Sequence, residues 1–258
     1  MQNILQFYKY QGTGNDFVMI DNRDQEFPKN KDLIKYLCDR RFGIGGDGLI
    51  LLENDAQADF KMVYYNSDGN ESTMCGNGGR CLVAFAHFLD LFEEKATFTA
   101  VDGLHEASYS KGNVKLKMID VADISYDGEN TVLNTGSPHF VMFVDAVKDF
   151  PVYTKGNEIR NNDTYCSIGI NVNFVEKLSD HSLFVRTYER GVEDETFSCG
   201  TGATASALVF MKDTGLTAVD VKVLGGNLKI HARQSGSTFS DIWLEGPAVQ
   251  VFSGKISI

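Results

Sequence analysis

Cys75-Gly76-Asn77-Gly78-Gly79 and Cys199-Gly200-Thr201-Gly202-Ala203 are two versions of one stretch, 124 residues apart. Each leads into a run with no polar face, Cys81 to Leu89 in the first case and Ala203 to Met211 in the second. That is the pattern of a helix buried on every side. Working outward, three more pairs keep the same order at offsets of 122 to 124 residues. Thr13-Gly14 before Phe17-Val18-Met19 matches Thr135-Gly136 before Phe140-Val141-Met142, Ile44-Gly45-Gly46-Asp47 matches Ile168-Gly169-Ile170-Asn171, and Phe60 to Asn66 matches Leu183 to Glu189. A constant offset of about half the chain predicts a duplicated domain.

The expected fold is α+β, with two pseudo-symmetric halves facing each other, each a strand-rich, barrel-like domain wrapped around one central helix. The first half is expected to span 1–124 and carry Cys75, and the second 125–248 and carry Cys199. The turn-rich Ser125–Asn130 is placed at the boundary, and a last strand over 249–258 can return to the first half. An amphipathic helix is predicted with Asn30 as N-cap, Leu33, Ile34 and Leu37 on one face, and Gly43 as its stop. Alternating strands are predicted at Val114–Met118 and Leu228–Ala232. Gly43-x-Gly45-x-x-Gly48 spells a dinucleotide fingerprint, but Leu49 to Leu52 after it reads as a strand where that motif needs a helix.

The chain has 258 residues, 43% of them hydrophobic, and a net charge of −11 from 24 basic and 35 acidic side chains. No basic stripe is available to neutralise phosphates, so nucleic acid and anionic membrane are not expected partners. No apolar run approaches a membrane span and the start lacks a secretory pattern, so a cytoplasmic protein is expected. Five cysteines without a Cys-x-x-Cys pair argue against a disulfide framework and a zinc ribbon. No metal-ligand spacing or pyridoxal motif is present, and no metal or cofactor is expected.

Both Cys-Gly-x-Gly stretches are read as opening a helix, where unpaired N–H groups and the helix dipole favour an anion. Such a place favours a reactive thiolate and lets a carboxylate approach closely over the glycines. Inverting a stereocentre needs a base on one face and an acid on the other. Two matched thiols supply both, and two helix ends supply donors for the charge that develops on the carboxylate. Cys38, Cys81 and Cys166 are read as structural, and His87 as a core histidine.

At Gly12–Phe17, Asn66–Gly69, Met74–Arg80, Pro138-His139, Asn171–Asn173, Tyr188–Gly191 and Cys199–Gly202 the sequence resembles the diaminopimelate epimerases, within the cofactor-independent two-thiol racemases. Asn77 separates it from the related proline racemases, which resemble Cys-Gly-His-Gly at that site. The resemblance implies interconversion of LL- and meso-diaminopimelate, on the route to lysine and peptidoglycan, without a cofactor and as a homodimer. It implies that Cys75 and Cys199 exchange the α-proton and that His139 and Glu189 tune the thiols through their charge. Backbone N–H groups of Gly76, Asn77, Gly200 and Thr201 are expected to hold the reacting carboxylate. Asn15, Asn66, Asn171, Glu189 and Arg190 are expected to bind polar groups of the substrate. Ser137 stands where many members have Asn, and Gly48 where some have Gln, each removing an amide. A proline or hydroxyproline racemase and a non-catalytic amino-acid-binding protein are the alternatives.

Overall fold

The computed structural model describes residues 4–258. Contacts divide the chain into two compact units, one formed by the chain up to Leu116 together with Pro247–Ile258, the other by Lys117–Gly246.

The first unit contains β1 (Ile4–Gly12), β2 (Asn15–Asp21), α1 (Lys31–Cys38), β3 (Gly48–Glu53), β4 (Phe60–Asn66), α2 (Gly76–Phe88), β5 (Lys95–Ala100), β6 (Gly103–Ser110) and β7 (Asn113–Lys117). The second contains β8 (Ile124–Asp127), β9 (Asn130–Asn134), β10 (Pro138–Phe143), α3 (Val152–Arg160), β11 (Asn171–Ser179), β12 (Ser182–Glu189), β13 (Asp194–Thr196), α4 (Gly200–Thr214), β14 (Ala218–Val223), β15 (Gly226–Ser235) and β16 (Thr238–Pro247). The chain closes with β17 (Val249–Ser257), which pairs antiparallel with β1 in the first unit.

The duplication is visible in the pairing. In the first unit β1/β2 is antiparallel, β2/β3 parallel, β3/β4 antiparallel, β4/β5 parallel and β5/β6 antiparallel. In the second, β9/β10, β10/β11, β11/β12, β12/β14 and β14/β15 repeat that order. Parallel pairs require crossovers, and α1 with α2, or α3 with α4, supply them.

β2 and β3 read as continuous apolar runs because both of their faces are covered. Val18, Ile20, Leu49 and Leu51 pack with Ile34 and Leu37 of α1. The alternate residues face α2, which packs on β1, β2, β3, β4, β6 and β17. Gly76 to Ala86 are buried throughout, as a central helix demands. In the second unit Val152 of α3 packs with Phe140, Val172 and Phe174, while α4 packs on β9, β10, β11, β12, β14 and β15. Two hydroxyls inside α4 are satisfied locally, Thr204 Oγ1 on Gly200 O at 2.9 Å and Ser206 Oγ on Gly202 O at 2.8 Å.

Asn30 caps α1 as expected, its side chain accepting from the Leu33 N–H at 3.1 Å. The helix nevertheless ends at Cys38, not at Gly43. Asp39 is the reason: its carboxylate accepts from the N–H groups of Arg41 and Phe42 at 2.7 and 2.8 Å, a turn that competes with further helix. Gly48–Glu53 is a strand, which removes the dinucleotide reading. Ser125–Asn130 forms the tip of the β8/β9 hairpin.

Candidate functional site

Cys75 is the N-cap of α2 and Cys199 the N-cap of α4, and neither side chain caps its helix. Ser, Thr, Asp or Asn is the usual choice there, so a sulfur at both positions is not explained by helix stability. The first intrahelical bonds run from Gly79 N–H to Cys75 O at 2.7 Å and from Ala203 N–H to Cys199 O at 2.9 Å. The N–H groups of Gly76 to Gly78 and of Gly200 to Gly202 therefore precede the helical ladder, as an anion-binding helix end requires.

In the first unit the Cys75 thiol donates to Asn15 Oδ1 at 3.7 Å, and Asn77 Nδ2 donates to the same oxygen at 3.3 Å. Asp47 sets this orientation, because its Oδ2 accepts from Asn15 Nδ2 at 2.5 Å. A carboxylate only accepts, so the amide nitrogen turns to Asp47 and the oxygen to sulfur. Asp47 is itself held by Arg40 Nη2 at 2.7 Å and the Asp16 N–H at 3.2 Å. Asp16 pairs with Arg40 at 2.6 Å and with Lys9 at 2.7 Å. Burial opposes ionisation of Asp16, but the bonds from Arg40 and Lys9 outweigh it and hold the carboxyl at about 2. Nothing in the sequence pattern singled out this network.

Asn66 ends β4 opposite Gly48, with its side chain exposed. The space that an amide at position 48 would need is taken: a Cβ there would lie 2.5 Å from the Tyr64 ring. Tyr64, two residues from Asn66 on the same strand face, fills that space with its phenol ring.

In the second unit Cys199 is 8% exposed, with Thr201 Oγ1 3.4 Å from its sulfur. Thr135 Oγ1 donates to Thr201 O at 2.8 Å. Asn171 Nδ2 donates to Ser137 Oγ at 2.8 Å and its Oδ1 accepts from the Arg190 N–H at 2.9 Å. Arg190 Nη2 also reaches Ser137 Oγ, at 3.2 Å. Ser137 is thus the hub joining two expected substrate residues. Glu189 Oε2 accepts from Thr196 Oγ1 at 2.9 Å.

His139 is wholly buried, and its Nδ1 meets Asn173 Nδ2 at 3.1 Å. Asn173 Oδ1 accepts from Thr187 Oγ1 at 2.9 Å and its Nδ2 also donates to Phe140 O at 3.0 Å, which orients the amide. Nδ1 is then the acceptor, and the remaining proton sits on Nε2, which has no partner. A charged imidazolium was expected here. Burial, reinforced by the positive Arg190, instead lowers the pKa to about 3 and keeps the ring neutral.

This carries a stability consequence. The unfolded chain protonates His139 near 6.5 and the folded chain near 3, so the unfolded state binds more protons between those values. The contribution is fully present above pH 6.5 and declines as pH falls, by about 1.4 kcal/mol per unit. His139→Gln is expected to lose about 2 kcal/mol less than the parent between pH 6.5 and 5, as read by urea midpoints. Parallel curves for the two proteins would show that His139 is not a buried neutral group.

The family model described as diaminopimelate epimerase matches residues 7–124 and 131–251. A diaminopimelate epimerase from Flavobacterium psychrophilum is 56% identical over 98% of this chain and 100% of its own. One from Chlorobaculum tepidum is 41% identical over 96% and 99%. Among solved structures, a PhzF-family phenazine biosynthesis protein from Bacillus anthracis superposes with a TM-score of 0.77 at 13% identity, covering 99% of this chain and 100% of that one. That likeness concerns the fold alone.

Proposed function

Because this chain belongs to the diaminopimelate epimerase family, we propose that it interconverts LL- and meso-diaminopimelate by thiolate and thiol proton transfer at the α-carbon. The observation that carries the reading is the pair of cysteines at repeat-equivalent N-caps, each unused as a cap. In the forward direction the Cys75 thiolate removes the α-proton of the LL isomer, and the Cys199 thiol delivers a proton to the opposite face. The reverse reaction exchanges the roles. N–H groups of Gly76, Asn77, Gly200 and Thr201 stabilise the charge that builds on the substrate carboxylate. Asn15 and Asn66 in one unit, and Asn171, Glu189 and Arg190 in the other, recognise the polar groups. A guanidinium suits a carboxylate because it offers two parallel donors.

His139 acts on Cys199 as a neutral group beneath α4, through Asn173, and Glu189 acts as the acidic member of the pair. The residues present call for no cofactor, since two thiols and the helix ends supply acid, base and charge stabilisation. The protein is a cytoplasmic homodimer in this reading. Cysteines that form no disulfide among the described residues fit a reducing compartment, and exposed Val249, Val251 and Phe252 on β17 offer an apolar face to a second copy.

Proton NMR in D₂O tests the reading. Incubation with LL-diaminopimelate is expected to remove the α-proton signal and produce the meso isomer, with proline left untouched. Turnover of proline would move the chain to the racemase reading, and no exchange on either substrate would leave only binding.

A further inference from the structure

The first turn of α2 contains a feature that its repeat lacks. The Arg80 side chain is 0% exposed, with Nη2 donating to Thr13 Oγ1 at 3.0 Å, Nη1 to Gly76 O at 3.4 Å, and Nε without a partner. No carboxylate pairs with it among the described residues, and the ionisable groups that act on it are Cys81 and Cys75. A buried cation without an anion is costly, so a side chain of this kind calls for an explanation.

The repeat supplies an internal control. Thr204 stands at the equivalent position of α4, and its hydroxyl holds Gly200 O at 2.9 Å, as Arg80 holds Gly76 O. Thr135, equivalent to Thr13, bonds the backbone of Thr201 directly. Neutral hydroxyls thus complete the same helix end in the second unit, and the architecture itself needs no guanidinium. The first unit has made room for one: a Cβ on Gly12 would lie 3.2 Å from Arg80 Nη2.

The charges around Cys75 within its unit are few. On α2 they are Arg80 and Cys81. Behind the neutral amide of Asn15 lie Asp47, Asp16, Lys9 and Arg40. From the β5/β6 side comes Asp102, which accepts from the Met74 N–H and pairs with His105 at 3.2 Å. Lys9, Arg40 and His105 are each matched to a carboxylate. Burial pushes the Cys81 thiol up to about 12, so it stays neutral, and burial likewise raises Tyr10 on β1. The group left to answer the guanidinium is the Cys75 sulfur. Burial lowers the Arg80 pKa, and the two sulfurs oppose that shift.

We propose that Arg80 is a positioning residue, the buried counter-charge that favours loss of the proton Cys75 shares with Asn15 Oδ1, so that Cys75 ionises more readily than Cys199. It therefore makes the thiol assigned to the LL isomer's α-proton the easier of the two to ionise, while its bond to Thr13 holds the turn that carries Asn15. This rests on the two-thiol reading above, but its test does not require turnover.

Iodoacetamide alkylation is followed against pH at Cys75 and Cys199 in the same sample by peptide mass spectrometry, for the parent, Arg80→Gln, Arg80→Met and Arg80→Lys. In the parent the Cys75 midpoint is expected below that of Cys199. The two neutral variants should raise the Cys75 midpoint by about one unit, slowing its alkylation at neutral pH roughly tenfold, without moving Cys199. Arg80→Lys should restore it. A purely structural arginine would lower thermal stability in Arg80→Met and leave the midpoint in place, and that result overturns the proposal. So does a parent in which Cys199 has the lower midpoint. If only Arg80→Lys yields folded protein, a Cys75 midpoint equal to the parent's supports the proposal and a raised one overturns it. Loss of epimerisation with normal alkylation profiles would fault the two-thiol reading and leave Arg80's role standing.

Discussion

Cys75→Ala and Cys199→Ala, made singly, are each expected to abolish inversion of diaminopimelate, by roughly 10²–10⁴-fold in kcat, the range for losing one acid or base. Folding should survive. Neither sulfur caps its helix, so alanine forfeits no cap bond, and the packing of α2 and α4 begins with the glycine that follows. Thermal melts should accordingly stay close to the parent while NMR shows no appearance of the other isomer. The variants are also expected to differ from each other. With Cys75 retained, the LL isomer keeps a base on its α-proton side and can exchange that proton with D₂O without inverting. With Cys199 retained, the exchange should favour the meso isomer. A single alanine variant that still inverts at a rate near the parent's would remove the sulfur at that position from the mechanism.

Gly202→Ala should damage both fold and activity, and Gly78→Ala, its repeat-equivalent, much less. A Cβ at Gly202 would lie 2.3 Å from Asn173 Oδ1 and 3.2 Å from Thr187 Oγ1. Asn173 cannot retreat, since it is held by His139, Phe140 O and Thr187. The clash must then be relieved by moving α4, and with it the Cys199 N-cap. At Gly78 the neighbours are Ile50 Cδ1 at 3.0 Å and Met62 Cε at 3.4 Å, free ends of flexible side chains that can shift. We expect about 2–3 kcal/mol of destabilisation for Gly202→Ala, a fall in Tm of about 5–10 °C, and severe loss of turnover. Gly78→Ala should stay within about 1 kcal/mol of the parent. Equal melting curves for the two would show that the polar cluster under α4 is not rigid.

Much of this was legible in the chain itself because it lies in local chemistry and periodicity. The all-apolar runs after Cys75 and Cys199 required helices with no exposed face, and α2 and α4 are such helices. Asn30 was legible as a cap, since an Asx side chain reaches its own third neighbour without outside help. The stop of α1 was not, because Asp39 could either continue the helix or fold back onto Arg41 and Phe42, and the balance between them is not written in periodicity. The pairing of Asn15 with Asp47 joins residues 32 positions apart in sequence, and only the parallel register of β2 on β3 brings them to one end.

What the sequence determined by itself was the duplication, the two helix-opening cysteines and the α+β class, for these follow from residue spacing and residue type. Only the tertiary structure decided the electrical character of the groups around those cysteines. His139 looks like a titratable residue in any sequence, and becomes a neutral one because the second unit buries it with Asn173. Arg80 looks like a surface charge following a glycine pair, and becomes a buried cation because α2 is enclosed. Charge state depends on burial and on partners distant along the chain, and neither is a property of local sequence.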